Sequence, residues 1–211
     1  MNKDIFKVFP EFETKRLKIR AFALDDYNQY VAWNGGDVPY YMDGLHYIAE
    51  GNIEGYKRLF LKNAPRMFET KESAIWCISD KATNDCIGKI EVCRYDFHTE
   101  TAQIHYCLSI NERGKGYMSE AISCILNWTF NILDVNRIYT YVNEQNTASA
   151  NVLKKCGFQL EGIMREASSN KYTIDGHEIK ITKNDNSLLK FKMKSNVCIY
   201  GCLKSEFVHL I

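Results

Sequence analysis

Proline is scarce, with three in 211 residues. No Gly/Ser-rich tract, internal repeat or low-complexity stretch interrupts the chain either, so nothing reads as a linker and a single domain spanning 1–211 is expected. Net charge is nearly absent: 27 Lys+Arg against 26 Asp+Glu leave +1. That removes the general attraction on which nucleic acids and anionic membranes depend, and any anion must be held locally. No apolar run approaches the roughly 18 residues of a membrane span, and the opening MNKDIFKVFPEFETKRLKIR contains nothing like a signal peptide. The expectation is a soluble, cytoplasmic chain with neither nucleic acid nor membrane as partner. The eight cysteines form no CxxC pair and no Cys/His cluster at zinc spacing, which predicts free, mostly buried thiols in a reducing compartment and no metal centre.

Core-forming material is plentiful, at 45% hydrophobic residues. Leu17 and Ile19 alternate with basic residues as in a strand, and Asp25 is placed to cap a helix through Tyr27, Tyr30, Val31 and Trp33. NGGDVPYYMDG reads as loop, and a second helix is expected within Ile48 to Leu61. SAIWCISD, CIGKIEVCRY and TAQIHYCLSI, separated by KATND and DFHTE, have the pattern of an antiparallel meander. Met118, Ala121, Ile122, Ile125, Thr129, Ile132 and Leu133 then repeat at helical spacing over Tyr117 to Leu133. RIYTYV is a strand and NTASANVLKKCGF a short helix closed by Gly157. The remainder, about 168–211, is β-rich: YTIDGHEIKI has a hairpin's Asp-Gly and NVCIYGCL reads as a last strand. The fold class is therefore α/β (α+β), with a mixed, mostly antiparallel sheet flanked by helices.

The stretch NERGKGYMSEA puts Gly114 and Gly116 between a strand and a helix, with Arg113 and Lys115 beside them. Glycines at positive φ let amides approach a bulky anion at the positive end of a helix. Three phosphate ligands compete for such a loop. The nucleoside triphosphate pattern GxxxxGK[ST] fails, because Gly116 and Tyr117 follow Lys115. The dinucleotide pattern GxGxxG fails at Ser119, and the strand before it belongs to a meander. The diphosphate of coenzyme A remains.

The run Arg113-Gly114-Lys115-Gly116-Tyr117 resembles the acetyl-CoA loop of the GNAT superfamily of N-acetyltransferases. ETKRLKIRAF, IGKIEV, NEQNTASANVLKKCGF and LEGIMRE occur in the order found in its RimJ/RimL branch of ribosomal-protein N-acetyltransferases, and the likeness spans about Thr14 to Glu166. The resemblance implies a sheet splayed near Leu108 to admit acetyl-CoA as co-substrate. Arg113, Gly114, Lys115, Gly116, Tyr117 and Met118 would cradle its diphosphate. Cys107, Leu108, Ser109 and Ile110 would offer backbone groups to the pantetheine arm. Asn146 and Ser149 match an Asn-x-x-Ser that touches the arm and the thiol. Lys154 and Lys155 would lie near the adenosine end or be plain surface.

Acetyl transfer from a thioester to an amine requires a neutral amine, stabilisation of the oxyanion and a proton for the departing thiolate. Many relatives carry a tyrosine acid where this chain has Leu153, which leaves Ser149 as the substitute donor or as a helix cap. Glu91 and His105 are the candidate bases, each also readable as an ordinary sheet residue; Ser168 stands where some relatives carry a carboxylate. Deprotonating an α-amine of pKa near 7.8 costs about 1 kcal/mol at pH 7, against about 4.6 for a lysine-like amine. A protein N-terminus is therefore the expected acceptor, with small-molecule amines (antibiotic, polyamine, amino sugar) and a non-catalytic acyl-CoA sensor as alternatives. Trp33, Tyr40 and Tyr41 are the expected acceptor-site aromatics. The tail from Lys171 to Lys194, with six lysines against three acids, offers a surface for a partner subunit, as in a homodimer, or for an anionic acceptor, and otherwise reads as a solvated hairpin.

Overall fold

A computed structural model describes residues 3–34, 51–170 and 193–207, together with 173–174 and 177–178. Strands β1 (Phe12–Glu13), β2 (Leu17–Arg20), β3 (Ser73–Asp80), β4 (Cys86–Asp96), β5 (Thr101–Leu108), β6 (Arg137–Asn143), β7 (Gln159–Asn170) and β10 (Met193–Leu203) form one sheet in the order β1-β2-β3-β4-β5-β6-β10-β7. Strands β8 (Thr173–Ile174) and β9 (His177–Glu178) pair separately and antiparallel, on either side of the expected Asp-Gly. Every neighbour in the large sheet is antiparallel except β5 and β6. The meander follows from strand alternation: Ile90, Val92, Ile104 and Leu108 face helix α4 (Tyr117–Asn131), which presents Met118, Ala121, Ile122 and Ile125 to them. The opposite face, with Ile75 and Cys77, is covered by α1 (Tyr27–Asn34) and the helical stretch that precedes β3. All eight cysteines are free, and six are buried. No helix among the described residues is long and apolar enough to cross a membrane.

Two local expectations need correction. Asp26, not Asp25, stabilises the entry to α1: its carboxylate accepts from the Ala23 amide at 2.8 Å and from both terminal nitrogens of Arg20 at 2.8 Å. The expected second helix runs past Leu61: α2 (Ile53–Tyr56) passes into a π-helical segment, Lys57–Asn63, and then α3 (Ala64–Glu69). Pro65 stands just after the π-helical turn, where the helix continues from Asn63 into α3. Tyr56, Phe60, Ala64 and Phe68, four residues apart, keep one buried stripe through all three segments.

Gly88 on β4 lies under the end of β5. A Cβ there would stand 2.4 Å from the Cys107 carbonyl oxygen and 2.7 Å from Leu108 Cδ2. The Cys107 carbonyl is backbone of the paired strand and cannot retreat cheaply, so Gly88→Ala is expected to destabilise the fold by about 2 kcal/mol. Thermal denaturation should show the midpoint falling by about 4–8 °C.

Candidate active site

The only parallel pairing among the described strands of the large sheet covers Thr101↔Arg137, Ala102↔Ile138 and Gln103↔Tyr139; beyond these residues β5 and β6 part. From Ile104 to Leu108, β5 pairs with β4 and, among the described strands, with no strand on its other side. The gap leads to a cavity of about 330 Å³ between the end of β5, the 113–119 loop and α5 (Thr147–Lys155). Its loop wall has Gly114 at φ +76° and Gly116 at φ +83°, the second at the N-terminus of α4. Among the described residues, no backbone acceptor pairs with the amides of Gly114, Lys115 or Gly116, and those of Tyr117, Met118 and Ser119 are the unpaired first-turn donors of a helix. A Cβ on Gly114 would meet nothing within 4 Å, so what glycine supplies at that position is backbone conformation. Open, converging amides at a helix N-terminus fit a diphosphate.

The loop is tied down from a distant part of the chain. Glu120, in the first turn of α4, accepts from Thr14 Oγ1 at 2.6 Å, the Arg16 amide at 2.9 Å and Arg16 Nε at 2.7 Å. Arg16 Nη1 donates to the Lys115 carbonyl at 2.9 Å, and its guanidinium lies 4.5 Å above the Tyr117 ring. The two cations expected at the rim are both engaged within the chain. Arg113 turns back, its Nε and Nη2 each donating to the Leu108 carbonyl at 3.2 Å, and Lys115 pairs with Glu112 at 2.9 Å. The cause is the splay itself: Leu108 has no β6 donor, and Arg113 is the nearest substitute. Ser109 also spends its amide, on the Ile87 carbonyl at 2.8 Å. Ser109 and Ile110, the latter 65% exposed, line a second cavity of about 460 Å³ beside Trp33 rather than the one under the loop. Cys107 and Leu108 are buried and border the first cavity.

On the α4/α5 side of the sheet, Asn146 caps α5 by accepting from the Ser149 amide at 3.1 Å. The Ser149 hydroxyl is thereby left to point into the gap, where it lies 2.6 Å from Tyr106 Oη. Burial pushes the Tyr106 phenol up, and the Ser149 hydrogen bond only partly offsets this, so the phenol keeps its proton at neutral pH. Nothing in the sequence marks Tyr106, since an aromatic in a strand ordinarily reads as core. Leu153 is 0% exposed and packs in that core.

Glu91 and His105 face each other in register across β4 and β5, on the opposite side of the sheet, toward α1. Glu91 is 7% exposed, and burial pushes its carboxyl up, with neighbouring Lys89 pulling the other way. His105 is half-buried. Trp33 donates its indole N–H to the Cys86 carbonyl at 3.1 Å, so it is fixed against the sheet. Tyr40 and Tyr41 lie outside the described residues, as do Lys171, Tyr172 and most of the lysine-rich tail. Among the described residues, Asp26, Cys77 and Cys86 bring ligand atoms within 4.8 Å of one another. Arg20 already occupies the Asp26 carboxylate there with two hydrogen bonds, so a guanidinium supplies the positive charge.

A family model described as an acetyltransferase (GNAT) domain matches residues 16–159. The N-acetyltransferase p20 of Bacillus licheniformis, described as uncharacterised, is 30% identical over 165 residues, covering 75% of this chain and 87% of the relative. The spermidine N(1)-acetyltransferase of Vibrio cholerae serotype O1 is 26% identical over 113 residues, 54% of this chain and 60% of that protein. Among solved structures, a ribosomal-protein-S5-alanine acetyltransferase from Vibrio fischeri aligns with a TM-score of 0.72 at 18% identity, covering 94% of this chain and 98% of that one. The last is a likeness of fold.

Proposed function

We propose, from the premise that this chain belongs to the GNAT acetyltransferase family and is therefore an acetyl-CoA-dependent N-acetyltransferase, that its acceptor is the α-amine of a protein or peptide. In this reading the chain is a single catalytic domain of the RimJ/RimL type. The observation that carries the cofactor half is the splay of β5 from β6 leading to the unpaired amides of Gly114 to Ser119. For the acceptor, support comes from the deprotonation cost, about 1 kcal/mol for an α-amine at pH 7 against about 4.6 for a lysine-like amine. The fold likeness to an enzyme acting on a ribosomal-protein alanine agrees with it.

Acetyl-CoA, when bound, supplies the acyl group as a thioester. The loop amides and the positive end of α4 hold its diphosphate, and Asn146 orients α5 so that Ser149 faces the gap. Ser149, backed by the protonated Tyr106 phenol, holds a proton for the leaving sulfur. Glu91 and His105, on the other face, take the proton that the amine must lose. Donor and acceptor of protons are thus separated by the thickness of one sheet. Tyr106→Phe is expected to lower kcat about tenfold with the KM for acetyl-CoA within about twofold. Steady-state kinetics on a peptide acceptor checks this, and Ser149→Ala should make the Tyr106→Phe effect disappear, because the two groups act in series.

A second reading, a polyamine acceptor, is favoured by the spermidine-acetylating relative. A thiol-release assay with peptides of free N-terminus, N-blocked lysine peptides and spermidine separates them. Turnover of the α-amine peptides by at least about tenfold over spermidine in kcat/KM is expected, and the reverse preference would overturn the proposal.

A further inference from the structure

We propose that Lys89 is a positioning residue whose sealed ammonium, beside Glu91 on the same face of β4, holds the Glu91 carboxyl in the form that accepts the amine's proton. The inference rests on the reading of Glu91 as a base. Lys89 is 0% exposed, and its Nζ has no hydrogen-bond partner among the described residues. An unpaired buried ammonium is costly, and replacing it by an apolar chain of similar length would ordinarily stabilise the fold. Its position suggests what offsets that cost. Lys89 and Glu91 are two apart on one strand, so both point toward α1. Register places Lys89 between Cys77 on β3 and Cys107 on β5, and Glu91 between Ile75 and His105.

Lys89 and, less strongly, Ser73 both favour the charged form of Glu91. Cys93 continues the same face of β4, Tyr95 follows the irregularity beyond it, Tyr30 comes from α1, and His105 and Cys107 come from β5. Burial pushes Cys93 up to about 12 and Cys107 to about 11, and raises both tyrosines, so these four are neutral at pH 7. Arg94 acts on Cys93 and Tyr139. His105, half-buried, is a further titratable neighbour among the described residues. Burial lowers Lys89 itself to about 8, against the pull of Glu91. For Glu91, burial raises the carboxyl, and Lys89 lowers it with Ser73 acting in the same direction. Without the ammonium, protonation of Glu91 would move to higher pH and the base would be lost nearer neutrality.

The test needs no knowledge of the natural acceptor. Carboxyl-13C NMR of glutamate-labelled protein, with Glu91→Gln to assign the resonance, gives the Glu91 titration midpoint. In Lys89→Met that midpoint is expected to rise by about one pH unit or more, while Lys89→Arg, which restores the charge, should stay near wild type. With acetyl-CoA and an α-amine peptide, the acidic limb of kcat/KM should move by the same amount in Lys89→Met. A limb that stays in place while overall rate falls is what a purely structural role would give. Should Lys89→Met fail to fold, Lys89→Gln serves the same titration. An unmoved midpoint in either variant, with Glu91→Gln inactive, overturns the role of Lys89 alone. Full turnover by Glu91→Gln overturns the base assignment beneath it.

Discussion

Gly116→Glu is expected to weaken acetyl-CoA binding at least about 100-fold, equivalent to about 2.7 kcal/mol, in isothermal titration calorimetry. Gly116 sits at φ +83° at the start of α4. An L side chain in that conformation costs about 1–2 kcal/mol, and its Cβ would stand 3.4 Å from Arg16 Nη2. The larger effect is electrostatic, because a carboxylate would stand where the loop amides converge on a diphosphate. Gly114→Glu removes the steric contact alone: its Cβ meets nothing within 4 Å, but at φ +76° it bears the same conformational cost, so the charge is isolated as the difference in affinity between Gly114→Glu and Gly114→Ala. Unchanged affinity in both glutamate variants would remove the loop as the diphosphate site.

Glu120→Ala is expected to cost about 2 kcal/mol of stability and about tenfold in acetyl-CoA affinity. Three donors converge on this carboxylate, from Thr14 and from the amide and side chain of Arg16. One of them, Arg16 Nε, is a charged donor, yet the Arg16 side chain is 40% exposed and that of Glu120 19%, so solvent reduces the sum well below the value for buried bonds. Affinity falls because Arg16 also holds the Lys115 carbonyl, and without Glu120 the guanidinium loses its fixed direction. The loss should depend on pH. Burial pushes the Glu120 carboxyl up, but the bonds from Thr14 and Arg16 outweigh it, so the folded-state pKa is below the usual 4.5. A carboxyl depressed by folding stabilises fully above its unfolded pKa and less as pH falls through the folded value. Urea midpoints of wild type and Glu120→Ala should differ at pH 7 and converge toward about pH 3. A constant difference across that range would show that the carboxylate charge is not what binds the clamp.

Much of this architecture is legible in the residue order because its signals are local. The meander announces itself through alternation over SAIWCISD, CIGKIEVCRY and TAQIHYCL, and α4 through apolar spacing from Met118 to Thr129. The loop glycines are legible for the same reason, since positive φ at a helix start is a one-residue requirement. What was not legible depends on distant partners. Arg16 and Glu120 are 104 residues apart, and neither has a neighbour in sequence that suggests the other. Tyr106 and Ser149 meet only because β5 and β6 diverge and α5 folds over the gap. Asp26 displaced Asp25 as the helix-entry carboxylate because Arg20, on β2, selects it. Arg113 looked like a phosphate-facing cation, yet the nearer orphan is a carbonyl made by the splay. Lys89 reads as the polar half of an alternating strand, and burial on both faces of β4 is a property of the assembled sheet.

The short parallel pairing of β5 with β6 has a mechanical corollary. The sheet is two plates, β1 to β5 and β6 with β10 and β7, joined edge to edge along a seam of three residue pairs. A pantetheine arm lying in the open part of that seam would take the place of the missing rungs and act as a strut between the plates. Occupancy and cohesion would then be one coupled quantity, and the empty protein would be weakest along the very line where its chemistry is done.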